Sequence, residues 1–177
     1  MSRNAIVTEQ SPPMHSRLND WYREADLLDS YAAELPADSD ADIRSIAYAF
    51  FEQPAPWPIR TLMSIRDRLG RRLWLLKSSN LPDRIAEHNQ IGFLPVLSTH
   101  ADELILGRND RHMNFRISLL IKKSVVGPDY VYVTTVVRCQ TRRGRAYLAV
   151  IRPFHRLLVP YTLRRAAEVS FAVTKAG

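Results

Sequence analysis

The residue best suited to chemistry in this sequence is His155, within the stretch GRAYLAVIRPFHRLLVPYTLRR at residues 144–165. Because the pKa of an imidazole lies near neutrality, His155 could act as a general acid or base or bind a polar ligand group. The alternative is a structural histidine bonded to a backbone carbonyl at the shoulder of a helix. No Ser, Cys or Asp lies close in sequence, but catalytic triads assemble from distant segments. His155 is therefore the best catalytic candidate.

A second polar set lies in the run HMNFRISLLIK, residues 112–122. The period of two puts His112, Asn114 and Arg116 on one face of a strand and the intervening apolar side chains on the other. On a concave face, the polar set could orient a ligand carboxylate or carbonyl. Hydrophobic burial favours the opposite arrangement, in which the polar set covers the outside of the sheet.

The densest basic cluster is RCQTRRGR, residues 138–145. It could contact phosphates, but it lacks the aromatic residues that alternate with basic ones in single-strand binders, so we expect no nucleic-acid partner. Residues 19–53 carry nine carboxylates and two arginines, so a solvated turn that attracts this acidic segment is the alternative. The candidates for anion contact are Arg142, Arg143, Arg145, Arg152 and Arg156.

No motif for a cofactor or a metal occurs in the sequence. The five histidines lack metal-ligand spacing, and there is no phosphate-binding loop, G-x-G-x-x-G or G-x-S-x-G motif. The single cysteine, Cys139, excludes an internal disulfide and fits a reducing compartment. The N-terminal residues lack the apolar run of a secretory signal, so we expect a cytoplasmic protein without a cofactor.

The elements that must position these residues are helices followed by strands. A helix with Ile43, Ile46, Ala47 and Phe50 on one face is predicted before Pro54, and a second begins near Pro58. Alternating or β-branched runs then predict three or four antiparallel strands, so the fold class is α+β. We expect a flexible tail over 1–18 and one domain over 19–177. Propensity alone predicts a helix in NDWYREADLLDSYAAELP, residues 19–36.

The closing stretch predicts a long helix. When the residues of this stretch are placed around an α-helix, its apolar side chains fall within an arc of about 120°. This is the width of the apolar stripe with which a helix faces a protein core. Pro153 and Pro160 lie on the outer side, which favours a bowed helix across a curved sheet. His155 falls on the shoulder of the stripe. Arg152 and the His155–Arg156 pair interrupt any transmembrane span. A helix lying flat on an anionic bilayer is the alternative to a core helix. The stripe comprises Tyr147, Val150, Ile151, Phe154, Leu157, Leu158 and Tyr161.

Three segments carry a resemblance: LGRNDRHMNFRISLLIK, VTTVV and GRAYLAVIRPFHRLLVPYTLRR. Over roughly residues 25–166 they resemble an uncharacterised bacterial domain-of-unknown-function family, similar to a branch of the START-like helix-grip (SRPBCC) superfamily. Members occur alone or behind nicotinamide-binding reductase-like domains, and we expect no reductase domain here. The resemblance implies a curved antiparallel sheet wrapped around a long C-terminal helix, with DSYAAELP as the first strand and two short helices after it.

The resemblance also implies an apolar cavity between the sheet and the closing helix. We predict a binding protein for a small hydrophobic or amphipathic molecule. An enzyme of lyase, cyclase or isomerase type, with His155 as acid–base, and an accessory protein docking through its arginines are the alternatives. The sequence does not distinguish a monomer from a homodimer. The predicted lining residues are Met113, Phe115, Ile117, Val133, Thr135, Tyr147, Ile151, Phe154 and His155.

Overall fold

A seven-stranded antiparallel sheet carries a long C-terminal helix, which confirms the predicted α+β class with a curved sheet. The computed structural model describes residues 5–35, 42–51, 64, 68, 89–92 and 94–174. The strands are β1 (Val7–Glu9), β2 (Leu27–Glu34), β3 (Gln90–Ile91), β4 (Leu94–Thr99), β5 (Glu103–Asn109), β6 (Met113–Lys122) and β7 (Tyr130–Cys139). The helices with described bounds are α1 (Asn19–Tyr22), α2 (Ile43–Phe51) and α3 (Arg142–Thr174).

The sheet order is β1-β2-β7-β6-β5-β4-β3, and every neighbouring pair is antiparallel. Strand β2 therefore pairs with the last strand, β7, over its whole length, from Leu27 opposite Val137 to Glu34 opposite Tyr130. A register shift between Val96 and Ser98 marks a bulge in β4, and a bulge bends its strand and increases the twist. This bulge is one local source of the sheet's curvature.

One face of the sheet packs against α2 and α3, and we call it the inner face. Two apolar clusters lie there. In the larger one, Val159 and Leu163 of α3 pack with α2 and with Val131 and Val133 of β7. In the smaller one, Leu148 of α3 packs with the ends of β2 and β7. Each fully buried aliphatic side chain contributes about 1.5–3 kcal/mol relative to an exposed one, so both clusters hold α3 onto the sheet.

The opposite, outer face is covered by the segment that leads into α1. The Trp21 ring lies between two guanidinium groups of the sheet, 4.3 Å from that of Arg116 and 4.5 Å from that of Arg138. Leu18 is buried against this face, and Val7–Glu9 adds a strand to the edge of β2. Parts of the predicted tail, Val7–Glu9 and Leu18, therefore contact the sheet. Their few apolar residues and short strand suffice for these contacts.

The helix that propensity predicts over residues 19–36 is wrong beyond Tyr22. Residues 27–34 form β2 instead, which confirms the strand implied by the family resemblance. Pairing explains the difference, because β2 is bonded to β7 on one edge and to β1 along part of the other. Tertiary contacts of this kind routinely override the weak helix preference of Ala, Leu and Glu.

Helix α2 has the predicted buried face of Ile43, Ile46, Ala47 and Phe50, which confirms that prediction. The second predicted helix, near residues 58–73, lies outside the described residues apart from 64 and 68. The end of the first predicted helix at Pro54 lies outside them as well.

The predicted buried stripe of α3 is displaced by about one residue, or roughly 100° around the helix axis. Leu148 and Val159 are buried, whereas Val150 and Leu157 of the predicted stripe are exposed. His155, predicted on the shoulder, therefore lies in the middle of the sheet-facing surface.

The C-terminal extension of α3 explains this displacement. The helix continues to Thr174, and Leu163, Ala166 and Ala167 are fully buried in the larger apolar cluster. Residues 145–165 carry apolar side chains around much of the circumference, so periodicity within that window does not determine the face. The last buried turns set the rotation of the whole helix.

Candidate functional site

A polar layer separates the two apolar clusters beneath α3. It consists of Asp29 from β2, Thr135 from β7 and His155 from α3, and we call these three residues the polar layer. Asp29 and Thr135 are directly paired across the β2–β7 ladder. Along α3, His155 lies one turn after Ile151 of the smaller cluster and one turn before Val159 of the larger cluster.

The polar layer is almost completely withdrawn from water. The Asp29 side chain is 5% exposed, and that of His155 is 19% exposed. Asp29 Oδ2 lies 3.0 Å from His155 Nδ1, which is ion-pair distance when the imidazole is protonated. The two groups are not aligned as a hydrogen bond, so the contact is electrostatic rather than a directed bond.

Four buried polar atoms of this layer lack a hydrogen-bond partner among the described residues. They are both carboxylate oxygens of Asp29, Thr135 Oγ1 and His155 Nδ1. Thr135 is only 3% exposed. A buried polar group left without a partner costs about 1–3 kcal/mol, and a charged group costs more. The layer therefore has hydrogen-bonding capacity that the described protein groups do not use.

Neighbouring charges give this end of β2 an acidic character. Burial, followed by the negative charges of Asp29 and Glu9, raises the pKa of Tyr31, and the Arg156 guanidinium offsets part of that rise. Tyr31 follows Asp29 by two residues on the inner face of β2. The pKa of Tyr31 therefore reflects the electrostatic potential beside the polar layer. Two carboxylates and one guanidinium act on the same phenol.

An open cleft of about 470 Å³ lies at the edge of β2, and Asp29 is among its lining residues. Its lining consists of Glu9, Gln10, Ser11, Pro12, Leu28, Asp29 and Ser30. The cleft lies where β1 leaves β2, because β1 pairs only with residues 31–33 and Gln10 N donates to Ser30 O. Before Ser30, this edge of β2 has no strand partner among the described residues. A small molecule could therefore approach the edge of β2 beside Asp29, whose carboxylate oxygens are themselves buried.

The residues predicted to line a cavity lie mostly on the inner face. Met113, Phe115 and Ile117 pack against the apolar clusters, as the burial argument predicts. Val133 and Tyr147 are buried, and the remaining two from α3 are half-buried. The structure brings Thr135 and His155 together with inner-face apolar side chains. The half-buried pair is Ile151, in the smaller cluster, and Phe154.

Two residues of the polar set of β6, His112 and Arg116, have structural partners on the outside of the sheet, whereas Asn114 Oδ1 is buried without a hydrogen-bond partner among the described residues. His112 Nδ1 lies 3.0 Å from Thr141 Oγ1, which ties β6 to the start of α3. Arg116 stacks on Trp21 and donates to Asn109 Oδ1 at 2.7 Å. These contacts place His112 and Arg116 away from the polar layer, in positions that join segments of the fold.

The predicted anion-contacting arginines are exposed on α3, and one of them has an acidic partner. Arg145 Nε lies 3.2 Å from Asp26 Oδ1, and Asp26 also accepts a hydrogen bond from Cys139 N. This pairing matches the attraction proposed between the basic turn and the acidic segment. The docking role of the arginine-rich surface stays a prediction.

Sequence reasoning missed Asp29. The signal that could have found it is the alternation in LLDSYAAE, where Leu27, Tyr31 and Ala33 point inward and put Asp29 on the same face. A helical interpretation of this segment hides that period of two. A carboxylate at an inward strand position is unusual enough to indicate a partner or a ligand.

Two kinds of feature are absent from the described part of the chain. Across the described residues, no group of three or more His, Cys, Asp or Glu side chains is arranged to hold a metal ion. Within the same part of the chain, no helix has an apolar stretch long enough to cross a bilayer.

The comparisons with known proteins identify a family. No curated protein and no solved structure matches the chain significantly. The sequence model of the family described as "Protein of unknown function (DUF2867)" matches residues 21–162, a span that includes β2, β7 and most of α3 with all three residues of the polar layer. The chain therefore belongs to the DUF2867 family.

Proposed function

We propose that this chain is a START-like helix-grip protein that binds a small hydrophobic or amphipathic molecule between the inner face of the sheet and α3. The polar layer holds the polar end of that molecule. The supporting observation is the set of unpartnered buried atoms in Asp29, Thr135 and His155. Apolar side chains on both sides of the layer supply surface for the hydrophobic part.

Thr135 differs from its inner-face neighbours on β7 in carrying a hydroxyl group. A valine has nearly the shape of Thr135 and carries no unpaired hydroxyl, and β7 uses valine at the two flanking inner positions, Val133 and Val137. An unpaired hydroxyl at this position costs about 1–3 kcal/mol. A ligand group that bonds to the layer removes this cost, so binding rather than folding explains the polar residues.

Two adjacent threonines on β7 provide a matched test. Thr135→Val removes an unpartnered inner hydroxyl, so we expect unchanged or higher unfolding free energy and weaker ligand retention. Thr134→Val removes the outer hydroxyl that lies 2.9 Å from Ser30 Oγ, so we expect a loss of about 1 kcal/mol and normal retention. Native mass spectrometry of freshly purified protein, compared with its denatured mass, measures the bound molecule. Urea denaturation measures stability.

The two variants separate binding from structure. Loss of a co-purified mass in Thr135→Val alone supports the binding role. If Thr135→Val lowers stability as much as Thr134→Val and leaves ligand retention unchanged, the polar layer is part of the fold and the proposal fails.

A second candidate function is an enzyme of lyase, cyclase or isomerase type that uses the same site. The favouring observation is the 3.0 Å approach of Asp29 Oδ2 to His155 Nδ1. A carboxylate beside Nδ1 stabilises the tautomer that keeps its proton there, which leaves Nε2 able to accept a proton from a substrate. His155 would be the acid–base, and Asp29 would position it.

Small molecules extracted from wild type and from a His155→Gln variant distinguish the enzyme from the binding protein. Accumulation of a different species in the variant, identified by liquid chromatography and mass spectrometry, supports turnover. Identical extracts from both proteins favour binding without chemistry.

A further inference from the structure

We propose that the polar layer and the cleft at the edge of β2 recognise a protonated amine on an amphipathic molecule. This inference rests on the proposed binding function and names the chemical class of the ligand's polar end. The ammonium group would lie against the Asp29 carboxylate, and Glu9 at the mouth of the cleft would contribute further negative charge.

The hydrogen-bonding capacity of the layer favours a donor on the ligand. Both oxygens of Asp29 are acceptors, and neither has a hydrogen-bond partner among the described residues. The Thr135 hydroxyl can also accept, and an ammonium group has three donors for such a set. A ligand carboxylate would offer only acceptors to these groups and would meet the charge of Asp29 at close range.

The charge of the cleft also favours a cationic group on the ligand. Glu9 and Asp29 both line it, and its other polar lining side chains, Gln10, Ser11 and Ser30, are neutral. The nearest cation described in the site is the imidazole of His155, when protonated, and the Arg156 guanidinium acts on nearby Tyr31. Arg156 is exposed and lies outside the lining of the cleft, so it competes weakly for Asp29.

Calorimetric titration with three matched probes tests the inference. Decylamine, decanol and decanoate share one alkyl chain and differ in the polar end, and each is used below the concentration at which it aggregates. We expect the wild-type protein to bind decylamine at least tenfold more tightly than decanol and to bind decanoate more weakly than either.

Three variants locate the source of this preference. Asp29→Asn should reduce the amine-to-alcohol ratio to about one while retaining decanol binding. Glu9→Gln changes an exposed residue and should reduce the ratio by a smaller factor, which keeps the test valid if Asp29→Asn does not fold. Asp102→Asn removes an exposed carboxylate outside the cleft and should leave the ratio unchanged.

The outcomes separate this inference from the proposed function. Equal binding of all three probes, or an amine preference that survives in both Asp29→Asn and Glu9→Gln, overturns the amine assignment and leaves hydrophobic binding intact. Binding of no probe also overturns the amine assignment, and the proposed function is then judged separately by ligand retention in the Thr135→Val and Thr134→Val pair.

Discussion

Replacing Glu103 by glutamine should destabilise this protein by about 2–4 kcal/mol at neutral pH. The Glu103 side chain is fully buried at 0% exposure on the outer face of the sheet. Its Oε1 accepts hydrogen bonds from Ser16 Oγ and Ser118 Oγ, both at 2.6 Å. Its Oε2 accepts from Arg17 N at 2.9 Å and from Arg17 Nη1 at 3.1 Å.

The magnitude follows from the change in these four hydrogen bonds. A hydrogen bond to a charged group contributes about 1.5–3 kcal/mol, and one between neutral groups about 0.5–1.5 kcal/mol. Glutamine keeps one acceptor oxygen, and the serine hydroxyls can turn to accept from its amide nitrogen. Each bond then loses about 1 kcal/mol, and the smaller desolvation cost of a neutral side chain returns part of the total.

The pH dependence provides an independent readout. Burial acts to raise the pKa of Glu103, but the hydrogen bonds from Ser118, Ser16 and Arg17 outweigh burial and lower it below the ordinary value of 4.5. A carboxyl group with a lowered pKa stabilises the fold above its ordinary pKa, and this contribution is lost as pH falls through the folded-state pKa. The difference between wild type and Glu103→Gln should therefore shrink below about pH 4.5.

Urea denaturation from pH 7 to pH 3 measures both effects, with Asp102→Asn as the matched control. Asp102 also pairs with Arg17 Nη1, at 3.0 Å, but its side chain is 52% exposed. An exposed pair contributes about 0–1 kcal/mol, so Asp102→Asn should stay close to wild type. Equal stability of the two variants, or a difference from wild type that does not change with pH, would refute the reasoning.

Two further predictions concern the junction of β7 and α3. Gly144→Ala should lower the unfolding free energy by about 1–3 kcal/mol, because the added Cβ would lie 2.3 Å from the carbonyl oxygen of His112. Thermal denaturation measures this loss, and an unchanged melting temperature would show that the contact relaxes freely. Burial, with the nearby charge of Asp26, raises the pKa of Cys139 to about 11 from 9.0, so iodoacetamide at pH 7.5 should alkylate the folded protein roughly a hundredfold more slowly than the urea-unfolded chain. Comparable rates in mass-spectrometric time courses would contradict that burial.

The sequence predicts the fold class because its strongest patterns are local. The alternation over residues 112–122 separates two faces of β6, and hydrophobic burial favours the inward face that the structure has. The buried face of α2 follows from helical spacing in the same way. Both patterns depend on single elements with one apolar side, where burial leaves a single arrangement.

Non-local contacts explain what the sequence did not predict. The alternation in residues 27–34 competes with their helix propensity, and the strand is stabilised by pairing with β7, about a hundred residues later. The rotation of α3 depends on Leu163, Ala166 and Ala167, beyond the window in which its apolar stripe was defined. The first error hid Asp29 within a predicted helix, and the second placed His155, already the catalytic candidate, on the shoulder of α3 rather than opposite the sheet.

The two faces of the sheet each carry a buried carboxylate, and the two carboxylates differ in the hydrogen bonds that they receive. On the outer face, Glu103 receives four hydrogen bonds from Ser16, Ser118 and Arg17, so contacts within the fold account for its presence. On the inner face, Asp29 is about as deeply buried, yet neither of its oxygens has a hydrogen-bond partner among the described residues. The sheet thus supplies donors to one carboxylate and leaves the other with only the electrostatic contact to His155. Because burying a carboxylate without donors is costly, the inner face keeps hydrogen-bonding capacity at Asp29 that the described side chains do not use, and the proposed binding function rests on that capacity.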